Sequence, residues 1–160
     1  MIVVADSSPL HYLILLDQAE ILRRLYGNVL VPDAVAAELS AASAPRLVNE
    51  WMSHPPSWLR IVDVTAEDVA SVADELDLGE RAAIALAERT GADLLLIDES
   101  AGRAEARRRS LRVTGTLGVL RAAAEGGLLD VKDVVSRLNA TNFYVDEALL
   151  RTVFEKWLQE

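Results

Sequence analysis

Four carboxylates stand at positions where acid chemistry is plausible. Asp6 ends the apolar run Ile2–Ala5, and Asp98 ends a second run, Asp93–Ile97. A carboxylate at the end of a buried strand is poorly solvated, so it needs a capping role, a partner or a metal. Each could simply cap the next helix, which opens at Pro9 in one case and at Ser100 in the other. Glu38 falls three residues after Val35 and beside Leu39, at the edge of a helical apolar stripe. A solvated boundary glutamate would look the same. Glu80 completes Asp77-x-x-Glu80, which is capping-box spacing, so it too has a purely structural reading. The set says more than its members. Carboxylates brought to one sheet edge repel unless cations neutralise them. Oxygen-only ligands suit Mg²⁺ or Mn²⁺, and a carboxylate-held Mg²⁺ commonly serves phosphodiester chemistry.

Other chemistries are excluded by composition. The chain has no Cys and only two His, so thiolate catalysis, Cys-ligated zinc and a three-His zinc site are impossible. His11 sits inside the apolar run Leu10–Leu16 and reads as packed. His54 lies in a Pro-rich loop. A net charge of −9 on 160 residues would ordinarily discourage a nucleic-acid partner. The charge is uneven, however. Five arginines (Arg103, Arg107, Arg108, Arg109, Arg112) meet only Glu99 and Glu105 in their window. Arginine suits phosphate through paired hydrogen bonds, although such a run can also be a solvated face paired with its own acids. Arg103 is nearest Asp98 and is the candidate for the substrate side. Thr116 opens a helix after Gly115, where it either caps or helps receive an anion. Trp51, Trp58, Trp157 and Phe143-Tyr144 read as core or interface rather than as a stacking platform, because they are not interleaved with basic residues.

These residues need elements to hold them. Short apolar strands alternate with helices of 8–12 residues, which predicts an α/β domain with a mostly parallel sheet, spanning residues 1–160 as one unit. Such sheets bind ligands beyond the carboxyl ends of their strands. Ser7-Ser8-Pro9 is not the Gly-rich turn of a dinucleotide fold. The run Met1–Ala5 meets Asp6 at once and no apolar stretch approaches ~20 residues, so the expectation is a cytoplasmic protein with no signal peptide and no membrane span. A last helix is expected over 146–158. Its stripe of Leu149, Leu150, Val153, Phe154, Trp157 and Leu158 either packs on the domain or serves a homodimer or partner surface.

The ordered segments Val4-Ala-Asp-Ser-Ser-Pro-Leu10, Val31-Pro-Asp-Ala-Val-Ala-Ala-Glu38, Leu78-Gly-Glu80 with Ala83-Ile-Ala-Leu-Ala87, and Leu95-Leu-Ile-Asp-Glu99 resemble the PIN-domain nucleases. Gly102-Arg103, Val113-Thr-Gly-Thr-Leu-Gly-Val-Leu120 and Phe143-Tyr144 before the C-terminal helix resemble a PIN-like branch of unknown function, related to VapC-type toxins. The resemblance implies a three-layer α/β/α sandwich with a short, mostly parallel central sheet. It implies a Mg²⁺- or Mn²⁺-dependent endoribonuclease with Asp6, Glu38, Glu80 and Asp98 as its four acidic positions. Asp6, Glu80 and Asp98 would hold metal, and Glu38 would bind it through water or orient the nucleophile. Ser8, Arg103 and Thr116 would face substrate. The third acid is more often Asp in the VapC-type enzymes, and here it is Glu. The same resemblance implies the toxin of a type II toxin–antitoxin pair, with RNA as substrate and an antitoxin protein as partner. The alternative is a catalytically inert PIN-like module that binds protein.

Overall fold

The computed structural model describes residues 1–159. Five strands, β1 (Val3–Ala5), β2 (Val29–Pro32), β3 (Leu59–Val62), β4 (Leu94–Leu96) and β5 (Val113–Thr114), pair in the order β3-β2-β1-β4-β5. Every pairing is parallel, with Val3 opposite both Val29 and Leu94, and Leu95 opposite Val113. Successive strand residues point to opposite faces, and this alternation builds two separate cores. Val3, Ala5, Val29, Val31 and Leu96 face one of them, while Val4, Leu95 and Ile97 face the other.

Helices cover both faces, as an all-parallel sheet requires. On the first face lie α1 (Ser7–Leu15), α2 (Glu20–Tyr26), α3 (Asp33–Leu39), α4 (Arg46–Ser53), α8 (Thr116–Glu125), α9 (Val131–Asn139), α10 (Glu147–Val153) and α11 (Glu155–Leu158). On the second lie α5 (Ala66–Ala70), α6 (Leu78–Thr90) and α7 (Ser100–Arg108). The result is the three-layer α/β/α sandwich. Local chemistry sets several boundaries. The Thr65/Asp68 capping box starts α5, and Gly91 closes α6 in the left-handed conformation at φ 62°.

Strand order decides where a ligand can sit. The chain passes from β1 outward to β2 and β3, then returns to β1's other side with β4. The crevice beyond the carboxyl ends of β1 and β4 is therefore the switch point where ligands enter such sheets. Asp6 and Asp98 stand on its two sides. The Asp6 N–H donates to the Leu96 carbonyl at 2.9 Å, which ties the end of β1 to β4.

The expected helix over 146–158 is not continuous. At Phe154 the backbone turns to φ −110°, ψ 20°, separating α10 from α11. Phe154 is fully buried and Leu150 nearly so, whereas Leu149 is 51% exposed. Sinking Phe154 into the core sets the bend, because burying an aromatic ring outweighs a few tenths of a kcal/mol of helix regularity. Among the described residues no helix is long and apolar enough to cross a membrane.

Candidate active site

Asp6 occupies the N-cap position of α1, yet its side chain makes no cap bond to the helix. It is 3% exposed, and its Oδ1 is buried with no hydrogen-bond partner. Burial pushes its carboxyl up to about 8, helped by the charges of Asp77, Glu80 and Glu38 and partly offset by the Ser7 amide. An unpartnered buried carboxylate oxygen is costly, and a carboxyl in that state prefers to keep its proton.

Glu80 divides its two oxygens between two jobs. Oε1 accepts the Asp77 N–H at 3.2 Å while Asp77 Oδ1 accepts the Glu80 N–H at 2.8 Å, which completes the capping box. Oε2 is buried and unpartnered. Burial raises the Glu80 carboxyl above its usual range, and the Asp77 amide opposes the shift. The structural and functional readings of this residue are thus both available, one per oxygen. Gly102 lets α7 approach it, because a Cβ there would stand 3.2 Å from Oε2 and 2.7 Å from Ile97 Cδ1.

Gly79 shows how tightly the acids gather. A Cβ at this position would lie 3.1 Å from Glu38 Oε1 and 3.5 Å from both Asp6 Oδ1 and Asp77 Oδ1. Asp6, Glu38 and Asp77 therefore crowd a single point that only glycine leaves open. Glu38 and Asp77 are exposed while Asp6 is buried, and Glu38 lines the cleft beside α1.

Asp98 forms the other half of the site and is differently served. Its Oδ2 accepts the hydroxyls of Ser8 and Thr116, each at 2.7 Å, and its Oδ1 accepts the Thr116 N–H at 2.7 Å. It therefore caps α8, not α7, whose N-cap position is Glu99. The anion at the α8 N-terminus is Asp98 itself. Ser8 and Thr116, both expected to face substrate, donate their hydroxyls to this carboxylate. Gly115 is needed here too, since a Cβ would meet Asp98 Oδ1 at 2.5 Å and Arg103 Nη1 at 2.9 Å.

The arginine-rich segment splits by helical face. Arg109 pairs with Glu105 at 3.0 Å and Glu88 at 2.6 Å, and Arg108 also pairs with the buried Glu105. Arg109 thereby ties the end of α7 to α6, whereas the Arg108 pair stays within α7. Arg103 instead reaches the Ile97 carbonyl at 3.4 Å and lines the groove beside Asp98.

The structure thus brings Asp6, Glu38 and Glu80 to one side of the crevice, and Asp98, Ser8, Thr116 and Arg103 to the other. Among the described residues no three acidic or histidine side chains already form a closed metal-ligand set. Two fitting features are nevertheless present: an all-oxygen donor set, and two buried carboxylate oxygens with nothing to bind. Asp98 also retains acceptor capacity, because three hydrogen bonds leave one of its roughly four lone-pair positions free.

Three neighbours were not read as site residues from sequence, and His11, read as packed, is only half-buried. Asp77, read only as a cap, adds its charge to the cluster. His11 and Tyr12 line a cleft of about 190 Å³ with Ser8 and Glu38. Partial burial lowers His11 below its ordinary value, with Glu38 pulling the other way. The signal was available in their spacing, since Ser8 and Tyr12 are four residues apart on α1 and share a face.

The family model described as DUF3368: PIN domain matches residues 2–159. This chain belongs to that PIN-domain family. No curated protein matches it. The PIN domain is a nuclease-type fold, and its switch-point crevice is where these carboxylates converge.

Proposed function

We propose that this PIN domain is a metal-dependent endoribonuclease that hydrolyses RNA phosphodiester bonds. The observation that carries the reading is the pair of buried, unpartnered oxygens, Asp6 Oδ1 and Glu80 Oε2, at the parallel-sheet switch point. Asp6, Glu80 and Asp98 would hold Mg²⁺ or Mn²⁺, the hard cations that an all-oxygen set favours. When bound, the ion supplies the Lewis acidity that activates water and stabilises the leaving oxygen.

The chain's own residues supply the rest. Ser8 and Thr116 fix the Asp98 carboxylate in one orientation through three hydrogen bonds of 2.7 Å. Glu38, exposed to the cleft, orients the attacking water and accepts its proton. Arg103 sits where a phosphate oxygen can take its guanidinium. The toxin role, with an antitoxin partner and a homodimeric, cytoplasmic form, is part of the same proposal and is supported by the segment resemblance to VapC-type toxins.

The test is a single-stranded RNA oligonucleotide incubated with the full chain and Mn²⁺. Attack by water with departure of the 3′ oxygen leaves a 5′-phosphate and a 3′-hydroxyl, and EDTA stops the reaction. Ends carrying a 2′,3′-cyclic phosphate, or cleavage indifferent to EDTA, would show a different chemistry and refute the proposal.

A further inference from the structure

The larger groove, about 660 Å³, runs away from Asp98 and Arg103 between α1, the start of α8 and the segment 142–146 leading into α10. Nothing in the hydrolytic reading uses its far end. Tyr12 and Phe143 meet there edge to face, with ring centroids 4.8 Å apart. The Tyr12 hydroxyl donates to Asn142 Oδ1 at 2.9 Å. That bond fixes the amide so that Asn142 Nδ2 keeps two donors with no protein partner among the described residues. The segment is held in place, because the Phe143 N–H donates to Thr141 Oγ1 at 3.1 Å and Thr141 in turn donates to the Leu138 carbonyl at 2.7 Å. Tyr144 follows at 97% exposure, an aromatic ring with almost no protein contact on an otherwise ordered segment.

From this arrangement we propose that Asn142, Phe143 and Tyr144 form a nucleobase subsite: an unpaired base adjoining the cleaved phosphate stacks on the aromatic pair, and the Asn142 amide donates to its edge. The proposal rests on the ribonuclease reading and deepens it. Three features favour a base over an apolar protein segment. The groove is lined by the Phe143 and Tyr144 rings and the Asn142 amide, a combination that suits a flat ring carrying edge acceptors. Arg103, the one cation among the described residues of a groove that also holds Glu99 and Asp146, stands at the end nearest Asp98, where the attached phosphate belongs. Ser8 both lines the groove and bonds Asp98, so subsite and cleavage site are continuous. Phe143 packs against the first core, in keeping with the sequence reading, and the proposed stacking role is additional to that packing.

The experiment measures kcat/KM in Mn²⁺ for the parent and for Tyr144→Ala. The substrate is an RNA oligonucleotide that is intact or carries an abasic nucleotide on either side of the cleaved bond. The exposed Tyr144 can be removed without disturbing the core. Tyr144→Ala is expected to lower kcat/KM about tenfold on intact RNA, in keeping with the value of one base stack. On one of the two abasic substrates, parent and variant are expected to converge. Asn142→Ala is expected to show the same convergence with a change in base preference. An unchanged rate for Tyr144→Ala, or an equal loss on intact and abasic RNA, overturns the subsite while leaving the ribonuclease reading in place. Failure of the parent itself to cleave any RNA overturns that reading and the subsite with it.

Discussion

Asp6→Asn is expected to reduce Mn²⁺-dependent RNA cleavage by more than about a hundredfold, since even outer-shell partners of metal sites cost 10–100-fold when lost. The substitution keeps the size and shape of the side chain. It removes the negative charge and half of the acceptor capacity at the position where Oδ1 is buried without a partner. Asp6 makes no cap bond to α1, and an asparagine Oδ1 can still accept the Ser7 amide, so the helix start is kept. The loss therefore falls on the chemistry and not on the fold. Steady-state cleavage of a labelled oligonucleotide checks it, with circular dichroism confirming that the variant is folded. Undiminished cleavage would remove Asp6 from the site.

The same substitution is expected to stabilise the metal-free protein at alkaline pH. The Asp6 carboxyl is raised to about 8 from 3.8, chiefly by burial. Below pH 3.8 the folded and unfolded states both carry the proton, and no difference arises. Between 3.8 and about 8 the folded state keeps a proton that the unfolded state has released, so stability falls as pH rises. The slope is on the order of 1 kcal/mol per pH unit, and the loss is complete above about pH 8. Asparagine cannot ionise and escapes this penalty. Denaturant unfolding in EDTA should therefore show Asp6→Asn matching the parent near pH 4 and exceeding it by several kcal/mol at pH 8. Glu80, raised in the same direction, leaves both proteins a shared residual slope. Parallel pH–stability curves would mean that Asp6 is not the strained group. The penalty has a functional sense, because a site that costs stability when empty and charged is relieved by a cation.

Much of this arrangement was legible in the sequence, and for identifiable reasons. A β-branched run ending in Asp6 and an apolar run ending in Asp98 marked strand ends, and their continuous apolarity fits strands buried on both faces. Asp77 and Glu80 declared a capping box by spacing alone. What could not be read depended on neighbours remote in the chain. The capping alternative for Asp98 pointed to the helix next to it, but the helix it caps is α8, 18 residues on, because β5 runs beside β4 and delivers Thr116 to it. Strand order was not encoded in any local pattern, so the switch point between β1 and β4 emerged only in the fold. Helical spacing set Arg103 apart from Arg108 and Arg109, but that Glu88 on α6 would pair with Arg109 was not legible. Phe154 bends the last helix for a reason that lies in the core it enters. Tyr12 and Asn142 are 130 residues apart, and their bond has no signature in sequence.

The central claim is that the carboxylates at the β1–β4 crevice hold a divalent cation, and titration calorimetry of Mn²⁺ into the metal-free full chain at pH 7 tests it most directly. Run in two buffers of different ionisation heat, it is predicted to show saturable binding that releases protons, because carboxyls protonated in the empty site must ionise to ligate. In Asp6→Asn both the binding and the proton release should be lost. Binding that persists in Asp6→Asn with no protons released, or no binding in the parent, would contradict the account.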